Sequence, residues 1–359
     1  MKAFFLAELV NPNVDVSAIL PELVVALAGI VTMVYDSFFP KQRRVTGIVS
    51  LLGLAVSAVI LAMMWTDGRP ATSFNGMIAH DNLRLAFSFV FLLVTALTIL
   101  ISTVWVDNED VPVGEYHSLL MFATFGMMLM ASGNDLVVLF LGLETLSIAT
   151  YVMAGFRKSD LKSNESAMKY FILGSFASAF LLYGMALIYG ATGSTNITEI
   201  ATKVADPNFP ALLLIGAAML IIGFGFKVAT VPFHIWTPDV YEGAPSPVTG
   251  FMAAGPKAAA FASFIRVFVL GFPLIAGAQA SGVLHDTWMT VLAVMAILTM
   301  TVGNVAAIMQ NNIKRMLAYS SIAHAGYVMM AVAAAGSLGV TNAATQAALL
   351  YLLATAIIT

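Results

Sequence analysis

Eleven long apolar segments constrain this chain more than any other feature of its sequence. A helix needs about 20 mostly apolar residues to cross about 30 Å of hydrocarbon. The segments are Ser17–Phe39, Val45–Trp65, Leu83–Val106, Tyr116–Ser132, Asp135–Gly155, Ser166–Gly190, Pro210–Trp236, Pro247–Leu270, Thr287–Met309, Met316–Ala335 and Asn342–Thr359. Barrel strands of about 9–11 residues with alternating polarity do not fit runs this long. Since only helices and closed barrels satisfy the backbone in lipid, the sequence predicts an all-α polytopic membrane protein.

Composition excludes several function classes. Of 359 residues, 60% are hydrophobic and 10% are charged, whereas an ordinary soluble domain is about a quarter charged. A soluble enzyme could not bury that much apolar surface, and a formal net charge of -3 argues against a nucleic-acid partner. The chain has no cysteine, which excludes disulfides, a cysteine nucleophile and thiolate iron–sulfur ligation. We expect no metal and no cofactor on this chain.

The distribution of lysine and arginine among the loops predicts the orientation of the helices. With the N-terminus outside, eight basic residues fall in inside loops: Lys41, Arg43, Arg44, Arg157, Lys158, Lys162, Lys314 and Arg315. Five fall outside or near an outer helix end: Lys2, Arg69, Arg84, Lys203 and Arg266. This bias predicts a periplasmic N-terminus. The polar stretch Asn196–Asp206 then lies outside, where it is compatible with a surface helix.

Five ionisable residues inside the predicted spans belong to no loop. They are Glu144 in the fifth span, Lys169 in the sixth, Lys227 in the seventh, Lys257 in the eighth and His324 in the tenth. A lysine or aspartate at the centre of a membrane helix costs roughly 2.5–3.5 kcal/mol, and a glutamate is expected to cost a similar amount. Such residues usually face a bundle interior or water, and they mark ion or proton paths.

Several of these residues also have a purely structural interpretation. Glu144 and Lys227 could form a static ion pair that only fixes helix register. Lys169, near the inner end of its span, could extend to the membrane surface. His324 could be a core histidine bonded to a hydroxyl or carbonyl. Lys257 is harder to explain in this way, because no acid near it in sequence can neutralise it.

The seventh span contains a predicted helix break beside Lys227. Pro232 has no N–H to donate, and its ring clashes with the carbonyl of Val228. Glycines at 223 and 225 weaken the helix on the other side. Broken helices at membrane depth are tolerated only inside protein or beside a water-filled cavity. His234, two residues beyond Pro232, is a candidate gate or packing residue rather than a metal ligand.

The eighth span carries a second proline beside a lysine. Pro256 precedes Lys257, and it should loosen the helix by freeing the carbonyl of Met252. Two lysines beside two helix irregularities form a stronger signal than either one alone.

Four stretches of this sequence resemble a known family. They are GFGFKVATVPFHIWTPDVYEGAPSPVTGFMAAGPKAAAFASFIRVFVL at 223–270, LGLETLSIATYVMAGF at 141–156, SNESAMKYFILGSFASAF at 163–180 and NNIKRMLAYSSIAHAGYV at 311–328. The family is that of the antiporter-like membrane subunits of respiratory complex I, the proton-translocating NADH:quinone oxidoreductase. The run WTPDVYEGAPSPV is most similar to the N-type subunit, and the three spans that precede the core suit the long bacterial form.

The resemblance implies a fold of fourteen helices that contains two inverted five-helix repeats. Residues 1–110 would then form three N-terminal transmembrane helices, 111–275 the first repeat, and 276–359 the start of the second. A family lysine on the twelfth span would lie beyond Thr359. Because the apolar run Ala347–Thr359 also lacks a polar tail, we expect the sequence to be the front part of a longer protein.

The same resemblance implies a proton relay and its setting. It assigns proton-carrying roles to the five ionisable residues already named: Glu144, Lys227, Lys257, Lys169 and His324. In the implied mechanism, Glu144 holds Lys227 protonated, and disturbing that pair drives the proton to Lys257 and on toward His324. The chain would be a non-redox subunit of a translocase in the bacterial inner membrane, beside other complex I membrane subunits, one of them antiporter-like. FMN, iron–sulfur clusters and quinone are expected on other subunits.

Two rival functions remain open at this point. A subunit of an Mrp-type cation/proton antiporter would share Glu144 and Lys227 and would work without NADH. A structural membrane spacer would only connect pumping neighbours, and replacing Lys227 or Lys257 would then spare pumping.

Overall fold

The structure is a computed structural model that describes residues 15–40, 42–68, 71–109, 111–275, 277–337 and 339–358. Of the residues used above for topology and chain length, Lys2, Lys41, Arg69 and Thr359 lie outside the described residues.

Long helices dominate the described chain. The helices of 18 residues or more are α1 (Leu20–Phe38), α2 (Arg43–Met64), α3 (Asn82–Asn108), α4 (Val113–Ser132), α5 (Leu136–Ala154), α6 (Leu161–Thr192), α8 (Pro210–Val228), α10 (Ser246–Phe264), α11 (Gln279–Ile308), α12 (Ile313–Ala335) and α13 (Thr341–Ile358). Two short helices, α7 (Ile197–Lys203) and α9 (Thr237–Gly243), lie between them. Each of the eleven predicted spans corresponds to one long helix, which confirms the all-α prediction.

Ten of these helices are long and apolar enough to cross a membrane. The remaining one, α4, begins with polar residues that include Glu115 and His117, which lower its mean hydropathy. Most of its side chains are nevertheless buried against other helices. It therefore belongs to the bundle interior, where neighbouring helices rather than lipid surround it.

The centre of the bundle is α10. It packs against α3, α4, α5, α8, α12 and α13. In its most apolar 18-residue stretch, 94% of the residues are buried, whereas the share in the corresponding stretch of α11 is only 28%. A residue on α10 therefore meets other protein groups rather than lipid.

Small residues permit close helix packing at two crossings. A Cβ at Gly126 of α4 would lie 2.6 Å from the carbonyl oxygen of Gly142 of α5. A Cβ at Gly184 of α6 would lie 2.8 Å from the carbonyl oxygen of Gly216 of α8. Both contacts are too short for any side chain, so glycine sets the separation of these helices.

One end of the bundle is covered by short elements. Strands β1 (Thr72–Ser73) and β2 (Ile78–Ala79) form an antiparallel hairpin with Thr72 opposite Ala79. The predicted surface helix at Asn196–Asp206 is present as α7, and Asn196 accepts a hydrogen bond from the backbone N–H of Glu199 at its start.

Two ion pairs, one fully buried and one with a partly exposed aspartate, hold this end together. Arg84 of α3 contacts Glu22 of α1 at 2.7 Å, and both side chains are fully buried. Arg266, just beyond α10, donates to both carboxylate oxygens of Asp81 at 2.9 and 2.8 Å. Burial raises the pKa of the Asp81 carboxyl, but the charge and hydrogen bonds of Arg266 outweigh burial and hold that pKa below its usual value.

The loosening predicted at Pro256 does not interrupt the helix. The α-helix runs through Pro256 from Ser246 to Phe264 without ending. The irregular turn of this helix lies farther along, at Ile265–Leu270, where the backbone widens into a π-helix. Tight packing of α10 on all sides keeps the helix together at the proline, because packing can outweigh the loss of one hydrogen bond.

Candidate functional site

The predicted helix break is confirmed, and it lies next to Lys227. Helix α8 ends at Val228, the residue whose carbonyl Pro232 would contact, and Ala229 takes a left-handed conformation with φ of 63°. Carbonyls freed at the break find partners. Gly225 accepts from the N–H of Thr230 at 3.0 Å, and Phe226 accepts from the indole of Trp236 at 3.0 Å.

Lys227 is buried, with 3% of its surface exposed. Its amine donates to the hydroxyl of Ser147 at 2.8 Å and to that of Tyr170 at 3.2 Å. The amine also lies 5.7 Å from the ring centre of Tyr151 and 5.3 Å from that of Tyr170. Its surroundings are therefore neutral hydroxyls and aromatic rings.

Glu144 and Lys227 do not form the direct ion pair that the sequence allowed. The carboxylate of Glu144 instead accepts from the hydroxyl of Ser178 on α6 at 2.5 Å. Ser178, Ser147 and Lys227 line one small cavity of about 10 Å³ between α5, α6 and α8. That volume admits about one water molecule. Ser178 therefore links the two charged groups, since it donates to Glu144 and lines the same cavity as Lys227.

Lys257 lies deep in α10 and is also 3% exposed. Its amine donates to the hydroxyl of Ser321 at 2.6 Å and to the Ser321 carbonyl at 3.0 Å. The ring centre of Tyr241 lies 5.6 Å from the same amine. No carboxylate among the described residues pairs with it, as the sequence around Lys257 suggested.

His324 lies one helical turn beyond Ser321 on α12. Its Nδ1 bonds to the hydroxyl of Tyr351 on α13. The rings of Tyr327 and Tyr351 flank the imidazole at 5.6 and 5.8 Å. His324 therefore has a hydroxyl partner, as its structural interpretation predicted. It also lies one turn from Ser321, the residue that Lys257 contacts.

Lys169 lies apart from the other candidates, in an ion-pair network at the surface. Its amine contacts Glu165 and Asp239, each at 2.7 Å. Arg315 contacts Asp239 at 2.6 Å and Glu242 at 3.1 Å. These groups line an open pocket of about 160 Å³, so Lys169 has ordinary charged partners rather than a membrane-embedded setting.

Two carboxyls of this network, those of Asp239 and Glu242, belong to α9. Hydrogen bonds from Arg315 and Lys162 hold the pKa of Glu242 below its usual value. Burial raises the pKa of Asp239, but hydrogen bonds from Lys169 and Arg315 outweigh it, so that pKa is lowered as well. Both side chains are charged at neutral pH.

Aromatic rings separate the two buried lysines. Tyr170, which accepts from Lys227, stacks on Trp236 with ring centres 4.4 Å apart and planes 7° apart. Trp236 in turn meets the edge of Tyr241 at 6.0 Å. His234 stands two residues before Trp236, and its buried Nδ1 has no partner among the described residues.

Sequence reasoning missed the hydroxyls that hold the lysines. Ser147 follows Glu144 by three positions on α5, and Ser321 precedes His324 by three on α12. Residues three apart share a helix face, so this spacing could have pointed to both serines. Tyr170, Trp236 and Tyr241 had no such signal, because aromatic residues in membrane helices are common. No group of three or more metal-ligating side chains occurs in the part of the chain that the structure describes.

Comparisons with known proteins agree with the resemblance. Residues 133–358 match the family described as NADH:quinone oxidoreductase/Mrp antiporter, TM. NADH-quinone oxidoreductase subunit N of Trichlorobacter lovleyi is 43% identical over 333 residues, which cover 92% of this chain and 66% of that protein. The chain thus spans about two thirds of the length of the curated relatives it matches.

Two solved structures share the fold. One is respiratory complex I from Thermus thermophilus with bound aureothin, with 35% identity, a TM-score of 0.75, and coverage of 94% of this chain and 69% of that one. The other is the Mrp complex from Dietzia sp., with a TM-score of 0.79 over 96% of this chain and 63% of that one. Its 21% identity shows the fold alone. By sequence, fold and matched residues, the chain belongs to the NADH:quinone oxidoreductase/Mrp antiporter transmembrane family.

Proposed function

We propose that this chain moves protons across the membrane as a membrane-arm subunit of NADH:quinone oxidoreductase. The observation that carries this proposal is the setting of Lys227 and Lys257. Both amines are buried, and both donate to neutral oxygens rather than to carboxylates. A lysine without a fixed counter-ion changes its protonation state readily when its surroundings change, which a proton carrier requires.

The residues define two halves of a path. In one half, Lys227 contacts Ser147 and Tyr170, and Ser178, which lines the same small cavity, donates to Glu144. In the other, Lys257 contacts Ser321, one turn from His324. The proton passes from Lys227 to Lys257 and then toward His324. Lys169 supports the path from the surface network, and His234 acts at the helix break as a gate.

Glu144 controls Lys227 from a distance rather than as its fixed partner. The carboxylate rests on Ser178, and bringing it to the Lys227 amine would favour the charged lysine. Two unit charges about 4 Å apart interact by about 4 kcal/mol at an effective dielectric constant of 20. Moving one proton against the membrane potential takes about 2.3 kcal/mol per 100 mV. The forming and breaking of this pair is therefore large enough to drive the transfer.

The proposal includes the setting of the chain. The relatives are named as subunits of NADH-quinone oxidoreductase, and we place this chain beside other membrane subunits of that complex, including an antiporter-like neighbour. FMN, iron–sulfur clusters and quinone belong to other subunits. The chain lies in a bacterial inner membrane with its N-terminus periplasmic, and residues 111–275 and 276–359 belong to two inverted repeats.

Lysine replacement tests the proposed function directly. Lys227→Met and Lys257→Met remove the titrating amines but keep length and apolar packing. Lys203→Met on the surface helix α7 is the matched control. NADH-driven acidification of inside-out membrane vesicles should fall strongly in the first two and stay normal in the third. Normal acidification by assembled Lys227→Met and Lys257→Met complexes would instead support a structural spacer.

The Mrp-type alternative has a separate test. The matched family covers both kinds of complex, so purification of the intact assembly decides between them. A complex that carries flavin and iron–sulfur subunits supports the oxidoreductase. A complex without them that exchanges sodium for protons supports the antiporter.

The orientation can be tested because the chain has no cysteine of its own. Lys158→Cys places a thiol in the exposed loop between α5 and α6, and Thr202→Cys places one on the exposed face of α7. An impermeant thiol reagent added to the periplasmic side should label only the Thr202→Cys chain. Labelling of the Lys158→Cys chain from that side would reverse the orientation.

A further inference from the structure

Ser178 on α6 bonds differently from three neighbouring hydroxyl residues. A serine or threonine inside a helix often donates to the carbonyl four residues earlier. Ser147, Thr150 and Ser175 all do so, at 2.6, 3.0 and 2.8 Å. Ser178 instead donates across the helix interface to the carboxylate of Glu144 at 2.5 Å. Its one hydroxyl proton is therefore committed to a charged group on another helix.

Two serines have opposite tasks at the cavity beside Lys227. Ser147 gives its hydroxyl proton to the carbonyl of Leu143 and accepts from the Lys227 amine. Ser178 lines the same cavity and gives its proton to Glu144, which is not among the lining residues. Ser147 thus holds the amine, and Ser178 holds the carboxylate.

The Ser178 hydroxyl has a second acceptor within its own helix. The carbonyl of Gly174 lies four residues earlier on α6, in the position that Ser147, Thr150 and Ser175 use on their helices. Rotation about one side-chain bond exchanges the two acceptors. The Glu144 carboxylate would then lose its donor, and it already lies close enough for its charge to act on Lys227.

We propose that Ser178 is the positioning residue that sets when Glu144 pairs with Lys227. This inference rests on the proposed function of proton translocation. While Ser178 donates to Glu144, the carboxylate is held at α6 and Lys227 can release its proton. When the hydroxyl turns to Gly174, the carboxylate pairs with the amine and the lysine keeps its proton. The switch exchanges hydrogen bonds only, so no covalent bond changes.

The test compares serine variants of α6 in the assembled complex. Ser178→Ala removes the donor to Glu144, and Ser178→Thr keeps a hydroxyl at the same position. Ser175→Ala is the matched control, because Ser175 lies one turn away on α6 and bonds only within its helix. Lys227→Met, measured beside them, reports on the proposed function itself. NADH oxidation by an artificial acceptor that bypasses quinone reports the amount of complex.

We expect proton translocation at pH 7 to fall about tenfold in Ser178→Ala, because loss of a hydrogen bond to a charged group shifts an equilibrium by about this factor or more. Glu144 then stays paired with Lys227, and release of the proton becomes slow. Ser178→Thr should translocate protons close to the wild-type rate, and Ser175→Ala should match wild type.

The pH profile separates positioning from packing. In Ser178→Ala the paired Lys227 holds its proton more tightly, and higher pH favours its release. The pH optimum of translocation should therefore rise by about one unit, which corresponds to a tenfold change in proton binding. The phenols of Tyr151 on α5 and Tyr170 on α6 also lie against the Lys227 amine, and all the serine variants leave them in place.

The remaining outcomes separate the two proposals. If Lys227→Met pumps normally, the proposed function fails and the role of Ser178 fails with it. If Lys227→Met is inactive but Ser178→Ala matches Ser175→Ala, only the role of Ser178 is overturned. A loss in Ser178→Ala that is equal at every pH, or that Ser178→Thr shares, would show a packing role and overturn the inference. Failure of Ser178→Ala alone to assemble would overturn it as well, because the hydroxyl would then be needed for folding.

Discussion

Two regions of this bundle differ in the partners of their buried basic side chains. At the end covered by the β-hairpin, Arg84 pairs with Glu22 and Arg266 pairs with Asp81. Around the helix break, Lys227 and Lys257 are just as buried but contact only hydroxyls, a carbonyl and aromatic rings. The first region keeps each arginine beside a carboxylate, and the second leaves its lysines without one.

The difference teaches what each kind of burial can do. An arginine keeps its proton at every physiological pH, and a buried pair loses its partner only at a high cost in stability. Such a pair holds helices in register. A lysine beside neutral oxygens has no fixed partner to lose, so its charge can change with little rearrangement. The paired region therefore serves structure, and the unpaired region is suited to proton transfer.

The largest expected effect separates charge from titration at Lys257. Lys257→Arg keeps a positive charge that cannot release its proton, so proton translocation should fall about tenfold or more, as for loss of a positioned acid–base group. Lys257→Met should fail equally while leaving thermal stability unchanged or slightly raised, because a buried polar cost disappears. Acidification of vesicles measures proton translocation, and thermal inactivation measures stability. Wild-type pumping by Lys257→Arg would show that only fixed charge is needed.

The next effect concerns the paired region. Arg84→Leu leaves Glu22 buried without a partner and should lower the free energy of unfolding by about 3–5 kcal/mol. Adding Glu22→Leu should recover most of the loss, because an apolar pair of similar volume is often as stable. Thermal denaturation of the detergent-solubilised complex, followed by retention of this chain, measures both. If the single and double variants are equally unstable, the loss does not come from an unpaired Glu22. The contrast between paired and unpaired charges would then have no basis in stability.

A smaller effect is expected at the helix break. Pro232→Ala supplies the missing N–H and should let α8 extend past Val228, a change that normally stabilises a helix. We expect normal assembly but slower proton translocation, by less than for Lys257→Met, because the break sets the position of Lys227. Full translocation by the assembled variant would make the break a packing detail.

The smallest effect belongs to the exposed network on α9. Glu242→Gln should cost about 0.5 kcal/mol, as is common for surface ion pairs. Because the pKa of Glu242 is lowered in the folded protein, its contribution is present above the unfolded pKa of about 4.3 and is lost as pH falls through the lower folded value. The stability difference from wild type should be equal at pH 6 and pH 8 and should vanish in strong acid.

Much of the candidate site could be predicted from sequence because membrane burial makes charge conspicuous. Lys227, Lys257, Glu144 and His324 stood out as ionisable residues in apolar runs, and Pro232 marked the end of α8. Hydroxyl partners could not be identified with equal ease, since serine and tyrosine carry no comparable penalty in a helix. Pro256 shows the limit of a local rule, because the packing around α10 keeps the helix continuous there, and the freed carbonyl of Met252 stays a prediction.

The sequence by itself determined the eleven long helices and the positions of the costly residues. Hydrophobic length and the absence of backbone partners in lipid dictate these features locally. Only the tertiary structure decided which charges meet. It placed Ser178 beside Glu144, Ser321 beside Lys257, and Asp239 beside Lys169, although these partners are 34 to 70 residues apart. Such contacts depend on helix crossings, which glycine–glycine approaches and side-chain volume set across the bundle.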